Sequence, residues 1–514
     1  MTATTTSPIE EPTPSRVAPP IDRALLTVAA VVVLGTIMSI LDTTVVNVAI
    51  NTLAARFHTT LPTIQWVATG YTLALATVIP LTGWIADRFG TKRLYMVSIA
   101  LFICGSSLSG LAWSSGSIIA FRVLQGLGGG MIMPAGMTIL TRAAGPRRIG
   151  RVMSIIGVPM LIGPILGPIL GGWLVADVSW RWIFFINLPI GILAFILAQI
   201  VLDPDQPQPA HRLDWLGMLL LSPGLALFIF GLAESSSYGF GSLRSWGPTA
   251  AGLVLIAGFF AHSWRTDAPL IDIRTFTHSR AGAAAGVFTL FAISFFGALL
   301  LIPLYYQSVR GASALDAGLL LAPQGLGAMV TMPLAGKLTD KYGPNYLPAA
   351  GIPLLVIGMA PFAFVTATTS YVLLCGFSVV LGLGMGLSMM PTMTAAMQAV
   401  PPAAIARTST AMNIIRQGGA SIGTAVLSVI LASAIKTNFH SVAGVHAGGG
   451  GFAALQKLSG AQHAAISAPL ARSFASTFVW AIVLLGVAFV PALAMALWRG
   501  GDRTVTAGAA PVLD

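Results

Sequence analysis

Long apolar runs broken by short polar clusters recur from about residue 24 to residue 498. At 1.5 Å per residue, helices of about 17–28 residues span a bilayer core. The pattern predicts fourteen such spans, at roughly 24–50, 61–82, 94–113, 115–137, 150–175, 182–202, 213–233, 248–264, 281–306, 314–336, 346–366, 370–396, 408–435 and 474–498. An even number of spans puts both chain ends on one side. Residues 1–23 are polar and carry Pro8, Pro12, Pro14, Pro19 and Pro20, the composition of a disordered tail. The proline-rich stretch Asp203 to Arg212 cannot continue a helix and closes a first group of six spans. A long segment at 436–473 connects the last two spans and includes Gly448 to Gly451, a flexible run; residues 499–514 form a second tail.

Composition removes the soluble alternatives. The chain is 55% hydrophobic and 8% charged, where soluble domains are about 25% charged. The net charge of +11 is not a nucleic-acid signature, because the basic residues lie mostly in short loops. Of 27 Lys and Arg, eighteen fall on the side of the termini, seven on the other side, and Arg122 and Arg416 fall within spans. That bias puts both termini in the cytoplasm of a multi-pass cell-membrane protein. Cys104 and Cys375 sit in apolar runs without metal-ligand spacing and read as packing residues.

One short pattern occurs twice. Gly83-Trp-Ile-Ala-Asp87-Arg88-Phe-Gly90 follows the second span, and Gly336-Lys-Leu-Thr-Asp340-Lys341-Tyr-Gly343 follows the tenth. If each copy follows the second span of a six-helix half, the plan is six, two and six. It comprises a bundle at 24–202, a linker with two inserted helices at 203–280, and a bundle at 281–498. Repeated halves are a common transporter design. The loops read as conformational latches, with topology control by positive charge as the simpler alternative. The first copy continues to Lys92 and Arg93; the second has Pro344 and Asn345 instead and should be the weaker latch.

Asp42 is the acidic residue placed deepest in a span. A charge there costs about 2.5–3.5 kcal/mol on insertion scales. Burial favours the neutral form of a carboxylate and a nearby cation the charged form, so a group poised between them can load and release a proton. The bland alternative is a structural carboxylate bonded to a neighbouring helix. Arg122 is the natural partner: both residues lie roughly 10–12 Å below the outer edge of their spans. Glycines 163, 167 and 171 and prolines 164 and 168 of the fifth span each recur every four residues, a spacing for close helix approach. Asn47, Gln125 and Asn413 are candidate cavity-lining residues; Arg416 either lines the cavity or snorkels to the nearer surface. Gly126-Leu-Gly-Gly-Gly130 and Gly382-Leu-Gly-Met-Gly386 follow no strand and read as helix packing. Asp316, at the start of the tenth span, suits a helix N-terminus.

Together these stretches resemble the fourteen-span drug–proton antiporter branch of the major facilitator superfamily (EmrB/QacA type). They include Leu41-Asp42-Thr-Thr-Val-Val-Asn47, Arg122-Val-Leu-Gln125-Gly126, Gly163-Pro164 through Gly171-Gly172, and Trp180-Arg181-Trp182 through Asn187-Leu-Pro189. The resemblance implies an all-α membrane fold of two six-helix bundles. It also implies a proton-relay role for Arg122 and an antiporter signature at Gly163, Pro164, Gly167, Pro168, Gly171 and Gly172. No cofactor, metal or nucleotide motif appears, so a proton gradient supplies the energy. Expected partners are the bilayer, protons and small hydrophobic or cationic substrates, with no nucleic acid; a periplasmic or cell-wall adaptor is compatible with this plan. A dedicated exporter of a lipid, siderophore or other metabolite would share every motif. An uptake symporter would lack the fifth-span signature, and a membrane enzyme would need a catalytic cluster that the spans do not carry.

Overall fold

The computed structural model describes residues 22–145, 148–204, 213–239, 241–277, 280–439 and 460–497. Among them the regular structure is entirely helical, and every predicted span coincides with a helix. The helices are α1 (Arg23–Arg56), α2 (Leu61–Val78), α3 (Thr82–Phe89), α4 (Thr91–Gly110), α5 (Ser115–Ala144), α6 (Ile149–Trp173), α7 (Trp182–Phe185) and α8 (Asn187–Val201). They continue as α9 (Trp215–Tyr238), α10 (Leu243–Arg265), α11 (Arg280–Ser308), α12 (Ala314–Tyr342), α13 (Leu347–Met359), α14 (Tyr371–Gln398), α15 (Ile405–Phe439) and α16 (Gly460–Leu497). α2 runs through a 3₁₀ turn into α3, and α7 leads into α8, so the sixteen helices make fourteen rods. Among the described residues twelve of these are long and apolar enough to cross a membrane; α10 is not among them, and several side chains of the 25-residue α6 lie outside the described residues. Ile200, Val254, Val372 and Val490 are exposed on the outside, as expected where lipid replaces water as the solvent.

Local sequence sets the helix ends. Asp22 accepts from the Leu25 N–H and starts α1; that bond and Arg148 hold its carboxyl below the usual carboxylate range. Ser114–Ser117 and Ser313–Asp316 form capping boxes at α5 and α12, as the position of Asp316 suggested. α3 and α12 both end on the last glycine of the repeated pattern. Gly90 and Gly343 have φ of 96° and 85°, where a side chain would be strained.

Three expectations shift. α1 extends six residues beyond position 50, to Arg56. α16 begins at Gly460 rather than 474, because its first turns are alanine-rich and helix-forming without being apolar. The 436–473 segment is therefore helical at both ends, and its centre (440–459) lies outside the described residues, as do most of the 203–212 linker and both tails. Cys104 is exposed on α4 rather than packed inside.

α1 packs on α6, α2 and α4 on α5, and α8 on α1 and α4; in the second half α11 packs on α15 and α16, and α14 on α12 and α13. α9 and α10 pack on each other, and α9 touches both α2 and α15, bridging the halves. Asp214, the N-cap of α9, meets His262 of α10 at 2.7 Å and ties this pair together. Glycines make the close approaches. A Cβ on Gly126 or Gly130 would strike the α2 backbone, and one on Gly382 the α12 backbone. At Gly163 and Gly167 a Cβ would collide with Ile40 and Thr44 of α1, and at Gly171 it would crowd Val45; at Gly172 it would meet nothing within 4 Å. α6 is helical through positions 164 and 168; the rings of Pro164 and Pro168 lie outside the described residues.

Gly167→Val should therefore cost about 1–3 kcal/mol by overpacking, whereas Gly172→Val should leave the thermal unfolding midpoint of the detergent-solubilised protein unchanged. Equal midpoints for the two variants would contradict the α1–α6 contact.

Candidate functional site

Five helices meet around one buried carboxylate. Asp42 (α1) and Arg122 (α5) are each 1% exposed, and Arg122 Nη1 donates to Asp42 Oδ2 at 2.5 Å. The other carboxylate oxygen, Oδ1, accepts from Gln125 Nε2 at 2.8 Å and from Asn187 Nδ2 (α8) at 3.1 Å. Three donors on two oxygens match an ionised acid. Arg122 is itself fixed by Gln125 Oε1 at 2.7 Å, by the Val67 carbonyl at 3.1 Å and by the Tyr71 ring 4.1 Å from its guanidinium carbon. Asn187 Nδ2 also meets Ser106 Oγ at 3.1 Å, which ties α4 to the cluster.

Beside this cluster, between the halves, is a cavity of about 180 Å³. Its walls include Ser39 and Thr43 of α1, Tyr71 of α2, and Asn413, Arg416 and Gln417 of α15. Tyr71 belongs to both places: its ring lies under Arg122, and its hydroxyl is 3.4 Å from Ser39 Oγ.

The predicted cavity residues divide accordingly. Asn413 and Arg416 line the cavity, and Arg416 does not snorkel to the surface. Gln125 does not line it; this residue is fully buried as a ligand of Asp42. Asn47 is exposed, one turn beyond Thr43 on the same stripe, and is not part of this wall. Tyr71 and Asn187 were missing from the sequence-derived site, since a tyrosine or asparagine in an apolar run carries no signal of what it touches.

The repeated segments are not loops but the helical α3 and the end of α12; they sit where the halves meet, on the face where α1 begins and α16 ends. Gly83 approaches the Arg407 backbone, and a Cβ there would lie 3.1 Å from its Cα; Gly336 does the same with Arg151, at 2.8 Å. Asp87 faces Arg407 at 3.3 Å and Arg142 at 3.7 Å. Asp340 takes Arg151 Nε at 2.6 Å and the Gly150 N–H at 2.9 Å, in the first turn of α6, where backbone donors are unmet. Of these contacts, those of Asp340 are the shorter. The partner cations come from the opposite half and from α5, not from the pattern itself. Arg88 and Arg93 are exposed, Lys92 caps α8 through the carbonyls of Gln199 and Leu202, and Lys341 lies over the Tyr342 ring. Two further cross-half hydrogen bonds among the described residues, Ser409 with the Pro134 carbonyl and Asn413 with Met137, run beside the cavity that Pro134 and Asn413 line. The halves are closed together on the termini face, below the cavity.

A sequence model of the Major Facilitator Superfamily matches residues 32–424. The chain belongs to that superfamily. Within this family of transporters, the chain is 48% identical to a multidrug resistance protein B homolog of Mycobacterium tuberculosis, over 80% of this chain and 77% of that protein. It is 31% identical to the tetracenomycin C resistance and export protein of Streptomyces glaucescens, over 79% and 76%. The fold is shared with the proton:xylose symporter XylE, with a TM-score of 0.58 at 14% identity, covering 90% of this chain and 95% of that one. The chain is therefore a multi-pass membrane protein of the major facilitator fold.

Removing the shorter latch should open the termini face most. With spin labels at positions 89 and 342 and both cysteines replaced by serine, Arg151→Ala should shift the distance distribution to longer values, and more than Arg407→Ala. An unchanged distribution in Arg151→Ala would contradict a latch at Asp340.

Proposed function

We propose that this protein is a proton-coupled antiporter that exports hydrophobic or amphiphilic compounds, drugs among them, by alternating access between its two halves. The observation that carries this reading is the enclosed Asp42–Arg122 pair, one tyrosine ring away from a cavity between the halves. The drug reading draws support from the names of the relatives, a multidrug resistance protein homolog and a tetracenomycin C resistance and export protein. The excess of basic residues on the termini face supports a cytoplasmic location for it.

In this reading the closed termini face leaves the cavity facing outward. A proton reaching Asp42 from outside cancels the charge that holds Arg122 and the two amides. Arg122 keeps its proton and retains Gln125, Val67 and the Tyr71 face. A shift of the Tyr71 ring then carries the change to the cavity wall, and the halves rock until the cavity faces the cytoplasm. Asp87 and Asp340 release and re-form their cross-half contacts in each cycle. About 100 mV and one pH unit supply roughly 2.3 and 1.4 kcal/mol per proton, enough to hold a neutral substrate at about a 500-fold gradient.

The test is substrate-triggered proton release from inverted membrane vesicles, followed with a pH-sensitive dye. Wild type should release protons, and Asp42→Asn, which keeps the size but not the charge, should release none. Coupling that persists in Asp42→Asn would place the proton site elsewhere.

A further inference from the structure

Arg416 places a cation in the cavity wall. It sits eleven residues into α15, roughly 16 Å along the helix, near the middle of a hydrocarbon core about 30 Å thick. Its Nε is enclosed without a hydrogen-bond partner, and among the described residues no carboxylate pairs with it. No acidic side chain lines the cavity. Asp42 is not available, because both its oxygens are taken by Arg122, Gln125 and Asn187. An unmet guanidinium at this depth is costly, and such groups mark a ligand path. Across the cavity stand hydroxyl groups of Ser39, Thr43 and Tyr71, with amides of Asn413 and Gln417 beside the arginine.

We infer that the cavity selects amphiphiles with an anionic head, such as a carboxylate, which Arg416 binds while the Ser39 and Tyr71 hydroxyl groups opposite donate to its remaining lone pairs. This rests on the exporter reading and narrows its substrate class. A guanidinium fork matches a carboxylate in a bidentate pair, and a neutral acceptor takes only part of that geometry. A cationic substrate meets like charge in a poorly solvated space. The energetics agree: when a cation leaves in exchange for an entering proton the electrical contribution cancels, whereas for an anion it counts twice.

The probes are 2-naphthylacetic acid, its neutral amide, and 2-(2-naphthyl)ethylamine, titrated at neutral pH into purified full-length protein by calorimetry. Wild type should bind the acid most tightly and the amine least. Arg416→Gln should weaken the acid about tenfold or more while leaving the amide within about threefold, and Arg416→Lys should restore part of the acid's affinity. The amide serves as the control for folding. An acid that binds wild type no more tightly than the amine overturns the inference. So does an Arg416→Gln protein in which all three probes weaken alike, the signature of a merely structural arginine. The same probes added to inverted vesicles separate the two readings. Acid selectivity in binding without proton release would leave the inference standing and remove proton coupling.

Discussion

The structure is organised around a charge pair placed where charge is expensive. Asp42 and Arg122 are sealed from solvent, and continuum reasoning makes such a pair a weak source of net stability, because desolvation offsets the attraction. What it does supply is a constraint. Removing either partner strands a buried ion, so α1 and α5 must stay in register and the amides of Gln125 and Asn187 must stay aimed at the carboxylate. The glycines of α5 let α2 and α4 come close enough for Tyr71 to cover the arginine and for Ser106 to reach Asn187. Much of the first bundle is packed around this one carboxylate.

The same constraint ties the site to the motion of the halves. Tyr71 has one face on the ion pair and its hydroxyl toward the cavity, so a change in the charge of Asp42 is felt where a substrate would sit. On the termini face the halves are held by carboxylates that each meet cations of the other half, Asp87 with Arg407 and Asp340 with Arg151. α5 carries both Arg122, in the buried cluster, and Arg142, which faces Asp87, near its end. α9 touches both halves, through α2 and α15.

Much of this was legible in the sequence because charge in an apolar run stands out. Asp42, Arg122 and Arg416 were identifiable for that reason, and the repeated Gly-x-x-x-Asp pattern marked where the halves meet. Less visible was anything that depends on helix rotation. Whether Arg416 faces the cavity or the lipid turns on the azimuth of α15, and Gln125 looked like a wall residue until its side chain proved to point at Asp42. Arg151 and Arg407 carry no sign in the sequence of their acidic partners, which come close only when the two bundles dock. The early start of α16 escaped because alanine favours helix without adding an apolar signal.

The central claim is that the Asp42 carboxylate exchanges its bonds to Arg122 and the two amides for a proton during transport. Infrared difference spectroscopy of the reconstituted protein, recorded as pH is lowered with and without substrate, observes that exchange directly. A protonated carboxyl C=O band should appear on acidification, shift when substrate is added and vanish in Asp42→Asn. A band that survives unchanged in Asp42→Asn, or one indifferent to substrate, would contradict proton coupling at this site.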